Sequence, residues 1–269
     1  MLGRHLPTGI ALAAAALAST AATPAGARFE AAQYHWPRTS TPVRVQVGDN
    51  VDSRWDSALR LAVADWNKST FIDSPLVPGT SAGNCKGVAG TIQVCNSSYG
   101  RNGWLSLTSV GVSGASDATE ATIRLNDSYF ASAPFGHSSR TAALCRAIGH
   151  SLGLADVPAA ASAPVTSGCM SPDSWTGDQH QPGAQSYAAL ESLYGQVSQA
   201  GSMLLRANGA GAFPEVGEEM ASWGEATQFD SYGRPQRFER MDEPGLKTIT
   251  YVSWAPGEGP RQKFRIARR

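Results

Sequence analysis

Apolar positions in this chain repeat first with the period of a strand and then with the period of a helix. Val43, Val45 and Val47 alternate with Arg44 and Gln46, so residues 43–47 read as a half-buried strand, with Gly48-Asp49-Asn50 as the turn that ends it. From about Ser53 to Asn67 the period lengthens. Trp55, Leu59, Ala62, Val63 and Trp66 fall on one face, as in a helix laid against a sheet. Short strands are expected at 91–94, 104–110 and 121–126, separated by turns rich in Gly, Ser and Asn. A second helix spans about 139–152 and a third about 185–194, where Tyr187, Leu190 and Leu193 or Tyr194 form the apolar face. Strands first, one helix among them and further helices later predict an α+β sandwich.

Beyond about Gln196 the pattern dissolves. Residues 201–217 are rich in Gly and Ala and read as a spacer. Residues 238–240 and 247–254 are β-prone around Asp242-Glu243-Pro244-Gly245, which predicts a C-terminal hairpin. At the other end, Arg4 and His5, the apolar run 10–18 and Ala25-Gly26-Ala27 have the form of a secretory leader of 27 residues. The expected organisation is therefore a leader (1–27), a main domain (28–195) and a linker with hairpin extension and basic tail (196–269). About 240 residues remain after such a leader, enough for one well-buried domain and an appendage. No segment has the length of a membrane span.

Charge narrows the partners. With 22 basic and 22 acidic residues the chain is balanced, and only the tail (Arg261, Lys263, Arg265, Arg268, Arg269) is locally basic, so nucleic acid is not an expected partner. An even count of four cysteines in an exported chain predicts disulfides, and three pairings are possible. Cys85 with Cys95 and Cys145 with Cys169 is favoured, because each closes a short loop. The spacings contain no C-x-x-C, which argues against a Cys-rich zinc site.

The chemistry-bearing stretch is Cys145-Arg146-Ala147-Ile148-Gly149-His150-Ser151-Leu152-Gly153-Leu154-Ala155-Asp156. Two readings compete for it. Gly149-His150-Ser151-Leu152-Gly153 is a G-x-S-x-G string, the nucleophile elbow of serine hydrolases. An elbow follows a buried strand, yet Leu144, Ile148 and Leu152 recur at helical spacing, and His180 is the only later histidine. The window to it, roughly 30 residues, is too short for the usual intervening elements. On the second reading the stretch resembles the zinc helix of metzincin metalloproteases, H-E-x-x-H-x-x-G-x-x-H/D.

That resemblance extends outside the helix. Residues 94–105 (VCNSSYGRNGWL), 123–130 (IRLNDSYF) and 169–171 (CMS) are similar, in the same order, to segments of bacterial secreted metzincin-like metalloprotease domains. Coverage runs from about Gln33 to Tyr194, with weaker similarity in 223–254. The family implies a metzincin-like sandwich of a twisted mixed sheet with an active-site-type helix. It further implies that His150 and Asp156 stand at zinc-ligand positions, that Gly153 makes the turn between them, and that Met170 is the Met-turn floor. The Cys145–Cys169 bridge would then tie the metal helix to the Met-turn segment.

Two positions depart from the pattern, and both carry chemistry. Arg146 stands where the first histidine ligand belongs, and Ala147 where the glutamate general base belongs. Catalytic zinc takes three protein ligands and a water, whereas this helix offers two. At about 4 Å and an effective dielectric near 20, a divalent ion and a guanidinium repel by several kcal/mol. Losing a general base alone typically costs about 10² to 10⁴ in rate. The expectation is a secreted pseudoprotease with no catalytic residue and no cofactor, in which Arg146 pairs with Asp156. The former cleft would bind an extended peptide or protein segment by adding it to an edge strand, expected at 121–126. The alternative is a weak zinc metallopeptidase with a rearranged site, for which His35, His137, Asp173, Asp178 and His180 are the available rescuers. A serine hydrolase using Ser151 ranks third.

Overall fold

In the computed structural model, residues 34–81, 83–131, 134–156, 168–171, 179–195 and 220–260 are described. The expected leader (1–27), the spacer (201–217), the basic tail (261–269), Asp173 and Asp178 lie outside them. The architecture is mixed α+β, dominated by one eight-stranded mixed sheet.

The first predicted strand divides in two. Val43–Arg44 (β1) pairs in parallel with Ile72–Asp73 (β3), while Gln46–Asn50 (β2) enters the main sheet beside Leu76–Pro78 (β4) and Thr91–Ser97 (β5). Gly48, Asp49 and Asn50 are strand and not turn; Asp49 and Asn50 lie opposite Val94 and Cys95 of β5. Between them in sequence, Asp56–Trp66 (α1) buries the expected face, with Trp55, Leu59, Ala62 and Trp66 at 0% exposure. Trp104–Ser113 (β6) and Asp117–Asn126 (β7) form an antiparallel pair longer than the sequence pattern implied. Asp127–Phe130 (α2) follows at once, with Asn126 capping it through its side chain on Ser128 N. Then come His137–Ser151 (α3), Ala184–Tyr194 (α4), a 3-10 turn at Met220–Trp223, and the strands Glu225–Phe229 (β8), Pro235–Glu243 (β9) and Leu246–Trp254 (β10).

Strand order across the sheet is β4-β2-β5-β7-β6-β10-β9-β8. Two expectations change as a result. Residues 121–126 belong to β7, which lies between β5 and β6, so this segment is not an edge strand and cannot take an added peptide. The C-terminal hairpin is no appendage either. Its β10 runs antiparallel to β6 from Leu246↔Ser113 to Trp254↔Trp104 and continues the sheet. Strand β8 went unpredicted because Glu225-Ala226-Thr227-Gln228-Phe229 has no alternation of large apolar residues.

One apolar core unites the sheet and helices. Ile92, Val94, Ala121, Ile123, Leu125, Val110, Ile249 and Tyr251 meet α1 and α3 through Leu59, Trp66, Leu144 and Ile148. A second cluster gathers Trp104, Leu107, Phe238, Val252 and Trp254 under Trp223. The side chain of α3 residue Cys145 is bonded to Cys169, and Cys85 to Cys95. Among the described residues no helix is long and apolar enough to cross a membrane.

The Cys145–Cys169 bridge closes a loop of 24 residues, for which the loop-entropy relation gives about 3 kcal/mol. Replacing both cysteines by alanine is expected to lower the unfolding free energy by about that amount in denaturant titration. Peptide mapping by mass spectrometry should find Cys85 joined to Cys95 and Cys145 to Cys169, with no crossed pair.

Candidate functional site

Helix α3 is buried along nearly all of its length, from Thr141 to Ser151. It passes so close to its neighbours that Gly149 has no room for a side chain: a Cβ there would strike Met170 Sδ and Trp66 Cζ2. This contact puts Met170, at 0% exposure, against the helix one residue before His150. The helix ends at Gly153, whose φ of +91° is open to glycine and strained for most other residues. A Cβ at Gly153 would also stand 2.6 Å from the Tyr34 carbonyl oxygen. The chain thus turns back at Gly153 and brings Asp156 over the face of α3 that carries Arg146 and His150.

Arg146 and Asp156 meet there in a two-pronged ion pair. Arg146 Nε donates to Asp156 Oδ1 at 2.7 Å and Nη2 donates to Oδ2 at 2.6 Å. Their side chains are only 3% and 4% exposed. Burial by itself would push the Asp156 carboxyl up, but Arg146, with His150 adding to it, holds it well below the usual carboxylate range. His150 Nδ1 donates to the Leu154 carbonyl at 2.9 Å, and Nε2 lies 3.4 Å from Asp156 Oδ1 without hydrogen-bond alignment. Ala147 is buried, with its carbonyl 3.5 Å from Thr108 Oγ1, and offers no group able to move a proton.

Five participants were not legible as site residues in the sequence. Tyr251 of β10 stacks on the His150 ring, centroids 4.1 Å apart and planes 6° from parallel. Arg237 of β9 lies 5.8 Å from the Tyr251 ring centroid and pairs with Glu239 at 2.5 Å. Tyr34 donates from Oη to the His150 carbonyl at 2.5 Å. Trp36 Nε1 does the same for Ser151 at 2.8 Å, and Tyr194 Oη for Leu152 at 2.7 Å. Burial raises the phenols of Tyr34, Tyr194 and Tyr251, so these remain protonated donors at neutral pH. The aromatic cluster Tyr34-His35-Trp36 was the one visible hint of this role.

The other candidates fall elsewhere. His137 is exposed in the first turn of α3, more than three turns from His150. His35 hydrogen-bonds with the Trp36 carbonyl and, at 3.5 Å, with Ser116 Oγ. His180 adjoins Gln181, whose carbonyl accepts from Cys169 N. Ser151, at 0% exposure, gives its hydroxyl proton to the Ile148 carbonyl within the helix. A fully buried helical serine whose hydroxyl is spent on its own helix, with no base bonded to it among the described residues, is not placed to act as a nucleophile, which disfavours the G-x-S-x-G reading.

The residues do not fit a catalytic zinc. Both oxygens of Asp156 are taken by the Arg146 guanidinium. Among the described residues no group of three or more His, Cys, Asp or Glu is arranged to hold a metal. Comparison with protein-family models and with curated proteins returns no match for the chain.

Removing one member of a buried pair strands the other, at a cost of about 3 to 5 kcal/mol. Arg146→Ala should therefore destabilise the fold by that order, whereas Arg146→Met with Asp156→Leu stays near wild type. Asp156 has a folded pKa below its unfolded one, so its stabilisation is complete above the unfolded value of about 3.9 and is lost as pH falls below it. Urea titrations across acid pH should show this limb in wild type and a flatter one in the Met/Leu double variant.

Proposed function

We propose that this chain is an exported, metzincin-like protein that no longer hydrolyses peptides, a pseudoprotease whose metal position has become an ion-paired core. The observation that carries the reading is the Arg146–Asp156 pair: a fixed cation supplied by the chain stands where the resemblance puts a metal. Ala147 at the general-base position removes the second requirement of the reaction. His150 and Asp156 are then former ligands, and Met170 beneath α3 a former Met-turn. Two disulfides suit an oxidising, extracellular setting.

The role left to such a fold is binding. An extended peptide or protein segment would be recognised at the former cleft by backbone pairing. The edge of β6 is held by β10, so a ligand strand there competes with Leu246–Trp254. The zinc-peptidase alternative draws on His180, whose Nδ1 is buried without a hydrogen-bond partner among the described residues.

Fluorescently labelled casein tests both readings. Purified protein should release no label in a manner sensitive to chelators, and Ser151→Ala should change nothing. Chelator-sensitive release that His180→Ala abolishes would establish the peptidase and end the pseudoprotease reading. Arg146→His combined with Ala147→Glu is expected to acquire zinc, measured by metal analysis, where wild type retains none.

A further inference from the structure

The chain just before β6 is tied to α2 and to residues 255–259, and the tie passes through an Asn-Gly dipeptide, Asn102-Gly103. Gly103 has a φ of +96°, and a Cβ there would stand 3.2 Å from the Gly259 nitrogen, so the position requires glycine. Its N–H donates to Tyr129 Oη at 2.7 Å, and Tyr129 donates in turn to Glu258 Oε2 at 2.5 Å. Burial first, and Glu258 with it, push the Tyr129 phenol up to about 12, so it keeps its proton for Glu258. Asn102 is exposed, yet its carboxamide is held at both ends. Oδ1 accepts from Asn126 Nδ2 at 3.1 Å, and Nδ2 donates to the Tyr99 carbonyl at 3.2 Å. Arg234 Nη1 also fastens the 255–258 segment, through the carbonyls of Ala255 and Glu258.

An asparagine followed by glycine is especially open to attack by the next main-chain nitrogen, because glycine has no Cβ to obstruct the approach. The nitrogen gives its proton to a solvent base and bonds to the asparagine Cγ. The Cγ–Nδ2 bond breaks, and ammonia leaves with the proton that the base returns. Water then opens the succinimide at either carbonyl and leaves aspartate or isoaspartate. In this fold both reacting groups are held by other partners, so reaction proceeds from states in which those contacts have opened. We propose that Asn102-Gly103 is a deamidation site held in check by the Tyr129–Glu258 latch, and that isoaspartate formation loosens the end of β10 irreversibly. Isoaspartate puts an extra methylene into the main chain immediately before Gly103. That displaces the Gly103 carbonyl, which accepts from Ala255 N at 2.8 Å, and Trp104, which pairs with Trp254.

Peptide mapping of the full chain held at mildly alkaline pH tests this, since trypsin cuts after Arg101 and conversion of amide to acid changes the mass of the following peptide. Wild type should convert at Asn102 more slowly than the same chain unfolded in urea. Glu258→Ala and Tyr129→Phe should each speed conversion about tenfold, the effect on a local opening of losing a hydrogen bond in the latch. Should Tyr129→Phe fail to fold, Glu258→Ala carries the comparison. Hydrogen exchange at residues 253–255 should be faster in the isoaspartate form than in the unconverted one. Equal conversion in folded and unfolded chain, or latch variants no faster than wild type, would overturn the gate. Unchanged exchange at 253–255 after conversion would overturn the loosening of β10.

Discussion

The buried pair of Arg146 and Asp156 is the constraint around which this site is arranged. Desolvating a guanidinium and a carboxylate costs several kcal/mol per ion unless geometry and hydrogen bonding recover it. Recovery here comes from two short parallel bonds, and these require Asp156 to swing back over α3. The left-handed turn at Gly153 provides the swing. The same pair also settles the local chemistry. A carboxylate with both oxygens engaged by a guanidinium is a poor metal ligand, and an arginine cannot give up its proton to become one.

A second problem arises at the end of α3, where the last carbonyls of any helix lack partners within it. In this molecule they are buried, and three aromatic side chains from distant parts of the chain supply the donors. Tyr34 reaches His150, Trp36 reaches Ser151, and Tyr194 reaches Leu152. The segment Tyr34-His35-Trp36 and α4 are therefore fastened together at the end of α3. Tyr251 adds the hairpin to the same point by stacking on His150. Elements far apart in sequence converge here because an aromatic side chain joins apolar packing to a single polar bond.

The hairpin changes which strand edges are open. An exposed strand edge offers unpaired backbone groups to any extended chain, and natural folds cover such edges. Strand β10 covers β6 along its length, which leaves β4 and β8 at the ends of the sheet. On the proposed binding role, strand addition beside β6 would be a competition between an outside segment and a strand of the same chain.

Periodicity determined much of this in advance. The face of α1, the strands β5, β6 and β7, helices α3 and α4 and the hairpin were all legible from the spacing of apolar residues, because burial on one side leaves that imprint locally. The two disulfides and the Arg146–Asp156 pairing were legible as well, the latter through the resemblance to the metzincin helix, which implies that the turn at Gly153 swings Asp156 back towards position 146. Tertiary structure alone decided that residues 48–50 continue β2, since their strand character comes from pairing with β5 and not from their own propensity. It alone decided that β7 is central and that β10 closes β6, because strand order depends on which strands pair, here β7 with both β5 and β6 and β10 with a strand more than a hundred positions away. The places of Tyr251, Arg237 and Tyr34 around His150 follow from those pairings, and no local pattern encodes which distant ring will meet a given helix end.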